Sequence, residues 1–528
     1  MWFLPGLRRD LLLASVPLAF LLLVLVAPAL RLLAEGAWGV GATSANAASL
    51  WAPWTDPYLR WRMLWSLAQA AITCVLALLL GLPMAWVLAR LEFPGRRWLL
   101  RSLMLPFVVP TLVAAMGVLA VLGPQGWLVR LGGPDLQGTP WLLLYGNLFF
   151  NLCVVVRAGV DGLGQVSAAR VAAARTLGAT PWRAFWRVEW PAVLPWLTSA
   201  LCLVFLYCFA GFGLALVLGG QRYATAEVEI YTLVAHELQL KQAGVLAIWM
   251  VGLTGLVALA YAAIERTLAS PSRPDRLPRQ TVRGSGPYLA VAGVTLIWML
   301  ICALPLLSIV QGAIFSGLSA WSILGEEDTL AALWNTASFT AVALLIATAL
   351  GVTHALAARR WLWLRALVFL PFVVSPVMVA FGLLLLYPEL SGSFIVVAAA
   401  YALLAYPFVA KSVAAALDSL PQHYLDAARS LGASPWRVFW RVTLPWLAPA
   451  LRRGMAFAAA TAVGEFAVTL FLSRPEWATL TTLIYQHLGR PGAANRESAL
   501  VLSCVLMALA LLAFTLIETQ RDEDLDHA

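Results

Sequence analysis

Charge is scarce in this chain: Asp, Glu, Lys and Arg make up 12% of its 528 residues, against 62% hydrophobic. A soluble fold of that length needs far more charge to keep its surface wet, so a water-soluble protein is excluded. Lysine is nearly missing. The two present, Lys241 and Lys411, are not preceded by glycine. That rules out a P-loop, in which a lysine after a glycine-rich turn holds the β- and γ-phosphates. The five histidines are scattered, so neither a metal-ligand cluster nor a catalytic triad is legible, and nothing calls for a cofactor. The six cysteines (Cys74, Cys153, Cys202, Cys208, Cys302 and Cys504) form no CxxC pair and fall in apolar runs, where they read as small packing residues.

What the chain has instead is apolar blocks of roughly 18–25 residues, long enough to cross ~30 Å of hydrocarbon as helices. They predict an all-α polytopic membrane protein of about twelve spans. Six lie near 11–34, 63–89, 99–123, 140–160, 192–219 and 243–264, and six near 287–315, 331–357, 363–388, 393–416, 455–472 and 497–518. The 24 tryptophans suit the interfacial belts of membrane lipid. The net charge of +9 could suggest nucleic acid, but its placement does not. With the N-terminus inside, alternate loops collect Arg8 and Arg9; Arg96, Arg97 and Arg101; Arg170, Arg175, Arg183 and Arg187; then Arg266, Arg273, Arg276, Arg279 and Arg283. Basic residues thus gather on the cytoplasmic side, as the positive-inside rule expects, Glu326, Glu327 and Asp328 fall on the other side, and both termini are placed in the cytoplasm. The Arg8-Arg9 pair precedes a long run and many further spans, so it reads as the start of a retained helix rather than a cleaved signal. The acidic tail with Asp522, Glu523, Asp524 and Asp526 reads as solvated.

Two stretches are nearly the same text: AAARTLGATPWRAFWRVEWPAVLP from Ala172 and DAARSLGASPWRVFWRVTLPWLAP from Asp426, about half the chain apart. Fainter echoes flank them: LPFVVP from Leu105 matches LPFVVSP from Leu370, and Arg157 matches Lys411. The chain is therefore read as a duplication, with a first half over 1–269, a polar linker over 270–286 and a second half over 287–528. An even number of spans separates the copies, so the halves are parallel six-helix repeats, both loops facing one side. Within each loop (171–191 and 425–445), Ala-Ala-Arg-x-Leu favours helix, Gly178 or Gly432 breaks it, and Pro181 or Pro435 starts a second short helix. Trp182, Phe185 and Trp186 share a face, as do Trp436, Phe439 and Trp440, and Pro191 and Pro445 fall where the next span begins. An amphipathic lipid anchor would account for one such loop; two matched copies suggest a shape that fits something twice.

The loops resemble the EAA signature of binding-protein-dependent ABC importer permeases of the MetI-like type. The second copy supplies Asp426, Ala427, Ala428, Gly432, Val442, Leu444 and Pro445; the first supplies Ala172, Ala173, Ala174, Gly178, Val188, Trp190 and Pro191. Both depart from the pattern, the acid being Asp in one and absent from the other. The resemblance implies that each loop is a coupling element seated in a cytoplasmic ABC ATPase dimer, with Ala173, Ala174, Gly178, Pro181, Trp182 and Pro191 and their counterparts through Pro435, Trp436 and Pro445 making the joint. It also implies an external solute-binding protein as second partner, ATP hydrolysis on a separate subunit, and alternating access between the halves.

The fused two-half form resembles thiamine (and thiamine pyrophosphate) permeases and ferric-iron permeases. GPQGWL, FFNL, VEWP and the closing GEFAV…FLSRPEWATLTTLIYQHLG incline it to the thiamine type. Glu465 is costly inside an apolar segment, and its first-half equivalent is Gly211. It reads either as a helix-interface carboxyl satisfied by hydrogen bonds or as a pathway or gate carboxylate for a cationic cargo. An ion-gradient carrier is the rival class; it would place several paired ionisable residues inside the membrane, and Glu465 is the main one visible.

Overall fold

The computed structural model describes residues 6–38, 49–268, 278–472 and 474–518. The side chains of Arg8, Arg9 and Arg266, residues 270–277 of the linker with Arg273 and Arg276, and the acidic tail lie outside the described residues. The first half contains α1 (Leu12–Trp38), α2 (Pro57–Arg90), α3 (Thr111–Leu122), α4 (Pro140–Gly164), the loop helix α5 (Ala168–Thr176), α6 (Trp190–Phe209), two short helices α7 (Gly213–Leu218) and α8 (Ala226–Ala235), and α9 (Leu240–Leu268). The second half repeats the order: α10 (Ser285–Phe315), α11 (Glu327–Ala358), α12 (Pro376–Leu386), α13 (Phe394–Asp418), α14 (Gln422–Ser430), α15 (Leu444–Val463), α16 (Ala467–Leu472), α17 (Leu480–Gly489) and α18 (Ala493–Glu518).

Among the described residues ten helices are long and apolar enough to span a membrane. An eleventh is the pair Trp363–Val373 and Pro376–Leu386, bent by 90°. The span expected at 455–472 is corrected: the long helix there is α15, which carries Arg452 and Arg453, and the chain breaks after Val463 before α16 begins. The span expected at 192–219 breaks in the same way between Phe209 and Gly213. Prolines account for much of the irregularity. A proline removes an N–H from the ladder and crowds the preceding turn, and four wide π turns stand just before Pro28, Pro191, Pro305 and Pro445.

The sequence halves interpenetrate. Helix α1 packs on α11, α12 and α13 of the second half, and α10 packs on α3 of the first. Glycine makes both crossings close. A β-carbon on Gly117 would lie 2.7 Å from the Pro305 carbonyl oxygen, and one on Gly382 would lie 2.6 Å from that of Pro28. The linker is tied in as well: Gln280–Thr281 pairs as a two-residue parallel strand with Leu91–Glu92, and Arg279 meets Glu92 at 3.1 Å.

Candidate functional site: a central pathway and two matched loops

Helices α4, α6, α13 and α15 and the broken segments around Val109 and Val374 converge on a cavity of about 310 Å³. Its first-half wall is an amide cluster. Asn147 donates to Gln69 Oε1 at 2.6 Å, Asn151 donates to the Asn147 carbonyl at 2.8 Å, and Gln69 holds the Cys208 carbonyl at 2.7 Å. In the second half Tyr401 and Ala405 stand where the repeat would place these asparagines, and the charged group on that side is Glu465, with Ser375 and Thr461 also in the lining. Glu465 is held by hydrogen bonds at the break between α15 and α16. Its Oε1 accepts the Val468 N–H at 3.0 Å, capping α16, and its backbone carbonyl accepts from Thr481 at 2.9 Å and Tyr401 at 3.2 Å. The residue also lines the cavity.

Aromatic rings bound the cavity at both ends. Away from the two loops, Tyr231, Phe212, Phe466 and Tyr485 form a row with centroid separations of 5.5, 6.0 and 5.3 Å. Phe212 and Phe466 occupy equivalent repeat positions and stack on one another. Toward the loops, five rings close a circle: Phe107, Tyr207, Phe372, Phe408 and Phe457, with successive separations of 6.1, 6.3, 6.1, 6.3 and 6.0 Å back to Phe107. These are ordinary edge-to-face and offset distances. Beyond the circle lies a second, mostly apolar cavity of about 650 Å³, which shares Phe107, Tyr207, Phe408 and Phe457 and carries Arg157 and Asp161.

Several of these groups are not visible from span reading. Helices α8 and α17 are buried ten-residue pieces, too short to count as spans, and α8 brings in acids that a loop assignment hides. Ser375 donates to Glu227 at 2.7 Å, and Glu229 pairs with Arg62 at 3.1 Å while accepting from Tyr58 at 2.9 Å. Arg31 and Glu35 pair at 2.8 Å on α1. Glu465 is thus one of several ionisable residues in the bundle; the Arg62–Glu229 pair ties α2 to α8, whereas Arg31 and Glu35 pair along α1 itself. The signal for the short helices is the repeat itself: ATAEVEIYTLV from Ala224 aligns with ATLTTLIYQHL from Ala478.

The two loops fold identically. Each first helix ends in a Schellman turn: Ala179 N–H reaches the Ala174 carbonyl and Ala433 N–H the Ala428 carbonyl, both at 3.0 Å, with Gly178 at φ +80° and Gly432 at φ +78°. Ala173 and Ala427 accept the next bonds, from Leu177 and Leu431 at 3.1 Å. Thr180 and Ser434 then cap the short helices that Pro181 and Pro435 begin. Leu177 and Leu431 are each 88% exposed, and Trp182 and Trp436 are exposed beside them, so each loop presents a matched apolar knob to solvent. Pro191 and Pro445 stand at the head of the following helix, next to the π turns. Asp426 bonds within its own helix, to Arg429 at 3.3 Å. In the first loop Glu189 receives Arg90 at 2.6 Å, where the second loop has Thr443.

The chain matches the family described as "Binding-protein-dependent transport system inner membrane component" twice, over residues 77–269 and 347–519. It is 28% identical to the thiamine transport system permease protein ThiP of Haemophilus influenzae over 503 residues, covering 90% of this chain and 91% of that protein. Its identity to the proteins of the same description is 27% in Salmonella typhimurium and 28% in Escherichia coli, each covering 98% of this chain and 96% of the relative. With one copy of the domain in each half, this chain is a member of the binding-protein-dependent transport system inner membrane component family.

Proposed function

We propose that this chain is the inner-membrane permease of an ATP-driven importer that moves thiamine or thiamine pyrophosphate from an external binding protein to the cytoplasm. The observation that carries this reading is the cavity closed between two aromatic layers, with an amide wall on one side and one carboxylate on the other. Such a lining suits a flat organic cation: rings attract it through their faces, Glu465 offsets its charge, and asparagine carbonyls accept from its amino group. A ferric ion calls for several hard oxygen anions, and this lining supplies a single carboxylate. The near full-length similarity to thiamine permeases points the same way.

In this reading a pair of cytoplasmic ABC ATPases docks on the loops at 171–191 and 425–445, with both chain termini on that same side. Gly178 and Gly432 hold the turn, Ala173, Ala174, Ala427 and Ala428 keep its outer face small, and Trp182 and Trp436 fill the partner's cleft. Closure of the ATPases moves the loops as rigid bodies. Because Pro191 and Pro445 join each loop to α6 and α15, that movement reaches Tyr207, Phe457 and Glu465 directly, and the halves rock about the cavity.

The test is ATP hydrolysis by the reconstituted permease–ATPase complex with its binding protein, titrated with thiamine or with ferric ion. Stimulation by thiamine is expected. Stimulation by iron alone would keep the mechanism and reverse the cargo, and failure to assemble with any ATPase would return the chain to the ion-coupled class. Glu465→Gln separates charge from fold, because the glutamine oxygen can still cap Val468. Thiamine uptake is expected to fall about tenfold, equivalent to ~1.4 kcal/mol, with complex yield unchanged. Unaltered uptake would leave Glu465 as a helix cap alone.

A further inference from the structure

A third cavity, of about 290 Å³, lies off the pathway at the loop side of the first half. It is bounded by the end of α2, the end of α4, Trp196 of α6 and the linker, and its lining carries three guanidinium groups, Arg90, Arg96 and Arg279, against one carboxylate, Asp161. Three of these four have partners: Arg90 with Glu189 at 2.6 Å, Arg279 with Glu92 at 3.1 Å and Asp161 with Arg157 at 3.2 Å.

Arg96 differs. It is 5% exposed, and its Nε donates to the Leu88 carbonyl at 2.7 Å. Among the described residues no carboxylate pairs with it and its two terminal nitrogens have no hydrogen-bond partner, while the residue lines the cavity. Capping the end of α2 explains the Nε bond, and a neutral donor would serve that purpose. It does not explain a largely buried guanidinium whose fork opens into a cavity, where an anion would offset the cost of burying its charge. Burial and the neighbouring Arg279 push the Arg96 pKa down, with Arg97 adding to them, while Glu92, which pairs with Arg279, acts in the other direction.

The site is also one-sided. Counting back from the shared Leu-Pro-Phe, Trp361 stands in the second half where Arg96 stands in the first, and Ala415 stands where Asp161 does. A feature needed for docking the same ATPase twice would occur twice.

We infer that this pocket binds a phosphoryl anion, held in the fork of Arg96 with Arg279 and Arg90 beside it. Two terminal guanidinium nitrogens match two phosphate oxygens in a bidentate pair. The anion would come either from a soluble phosphate ester or diphosphate, or from a phospholipid headgroup at the membrane edge. Its occupancy bears on coupling, because Arg90 holds Glu189 in the wide turn joining the first loop to α6. An anion drawing on Arg90 competes with that pair.

The experiment uses the assembled permease–ATPase complex with its nucleotide sites filled by a non-hydrolysable ATP analogue, so that diphosphate cannot report on them. Inorganic diphosphate is titrated calorimetrically in detergent at fixed ionic strength, and retained phosphatidylglycerol is counted by native mass spectrometry after passage through mixed nanodiscs. A soluble ligand predicts a diphosphate site weakened at least tenfold in Arg96→Gln. A headgroup predicts one phosphatidylglycerol retained by the wild type and lost in the variant. Arg279→Gln, on the exposed linker, is expected to weaken the same signal severalfold and serves if Arg96→Gln fails to assemble. Wild type and assembled variants alike in both arms would overturn the assignment.

Discussion

Gly178→Val and Gly432→Val are each expected to cut ATP-driven uptake at least tenfold, and together to abolish it, while the permease still inserts and purifies at normal yield. The reason is conformational. Both glycines sit at φ near +80° with no atom within 4 Å of where a β-carbon would lie, so a side chain meets no clash. It meets instead the penalty of a left-handed backbone, roughly 1–2 kcal/mol for an ordinary L-residue and more for a β-branched one. The Schellman bonds to Ala174 and Ala428 are the first to go. With them goes the fixed angle between each loop helix and the short helix that carries Trp182 or Trp436. Neither glycine packs against a transmembrane helix, so the spans are expected to assemble and the loss to fall on transmission. Gly→Asn at the same positions is the control, since asparagine tolerates the left-handed region, and it is expected to retain most of the uptake. The measurements are uptake in proteoliposomes and the amount of ATPase that co-purifies. Wild-type uptake by both valine variants would remove the loops from the coupling path.

The duplicated loops were legible in the sequence because they are local: Gly178, Pro181 and their counterparts each dictate backbone geometry within a few residues, and the text occurs twice. The long helices were legible for the same reason, since about twenty apolar residues have few other solutions. What escaped is tertiary. Helices α8 and α17 are half the length of a span, so a search for apolar blocks of roughly 18–25 residues passes over both. The breaks that put Glu465 and Gly211 beside the cavity fall inside runs with unbroken hydropathy. The exchange of α1 and α10 between halves leaves only a trace, a glycine in each partner helix where a proline carbonyl must pass. The five-ring circle draws on different helices from both halves, and no window along the chain contains it.

That circle leads to the second large expectation, which separates the bulk of the rings from their electrons. Replacing Phe107 and Phe457 together by alanine removes two adjacent rings of the five, and is expected to open the cavity that Phe107 lines toward the wider one that both rings line. Proteoliposomes loaded with radiolabelled thiamine and carrying this variant complex are expected to leak label without ATP, whereas wild type holds it. Replacement of the same pair by leucine keeps most of the volume but not the quadrupole. A cation over an aromatic face is stabilised by about 0.5–2 kcal/mol. The leucine variant is therefore expected to stay sealed while its KM for uptake rises between about twofold and thirtyfold. If both variants leak, the rings act as a plug and nothing more. If neither leaks and KM is unchanged, the barrier lies elsewhere, and the outer row around Phe212 and Phe466 is the next candidate. The leucine result also bears on cargo: loss of the ring faces weakens an organic cation and leaves an uncharged solute nearly unaffected, so a KM that moves for thiamine but not for a neutral isostere would tie the circle to recognition as well as closure.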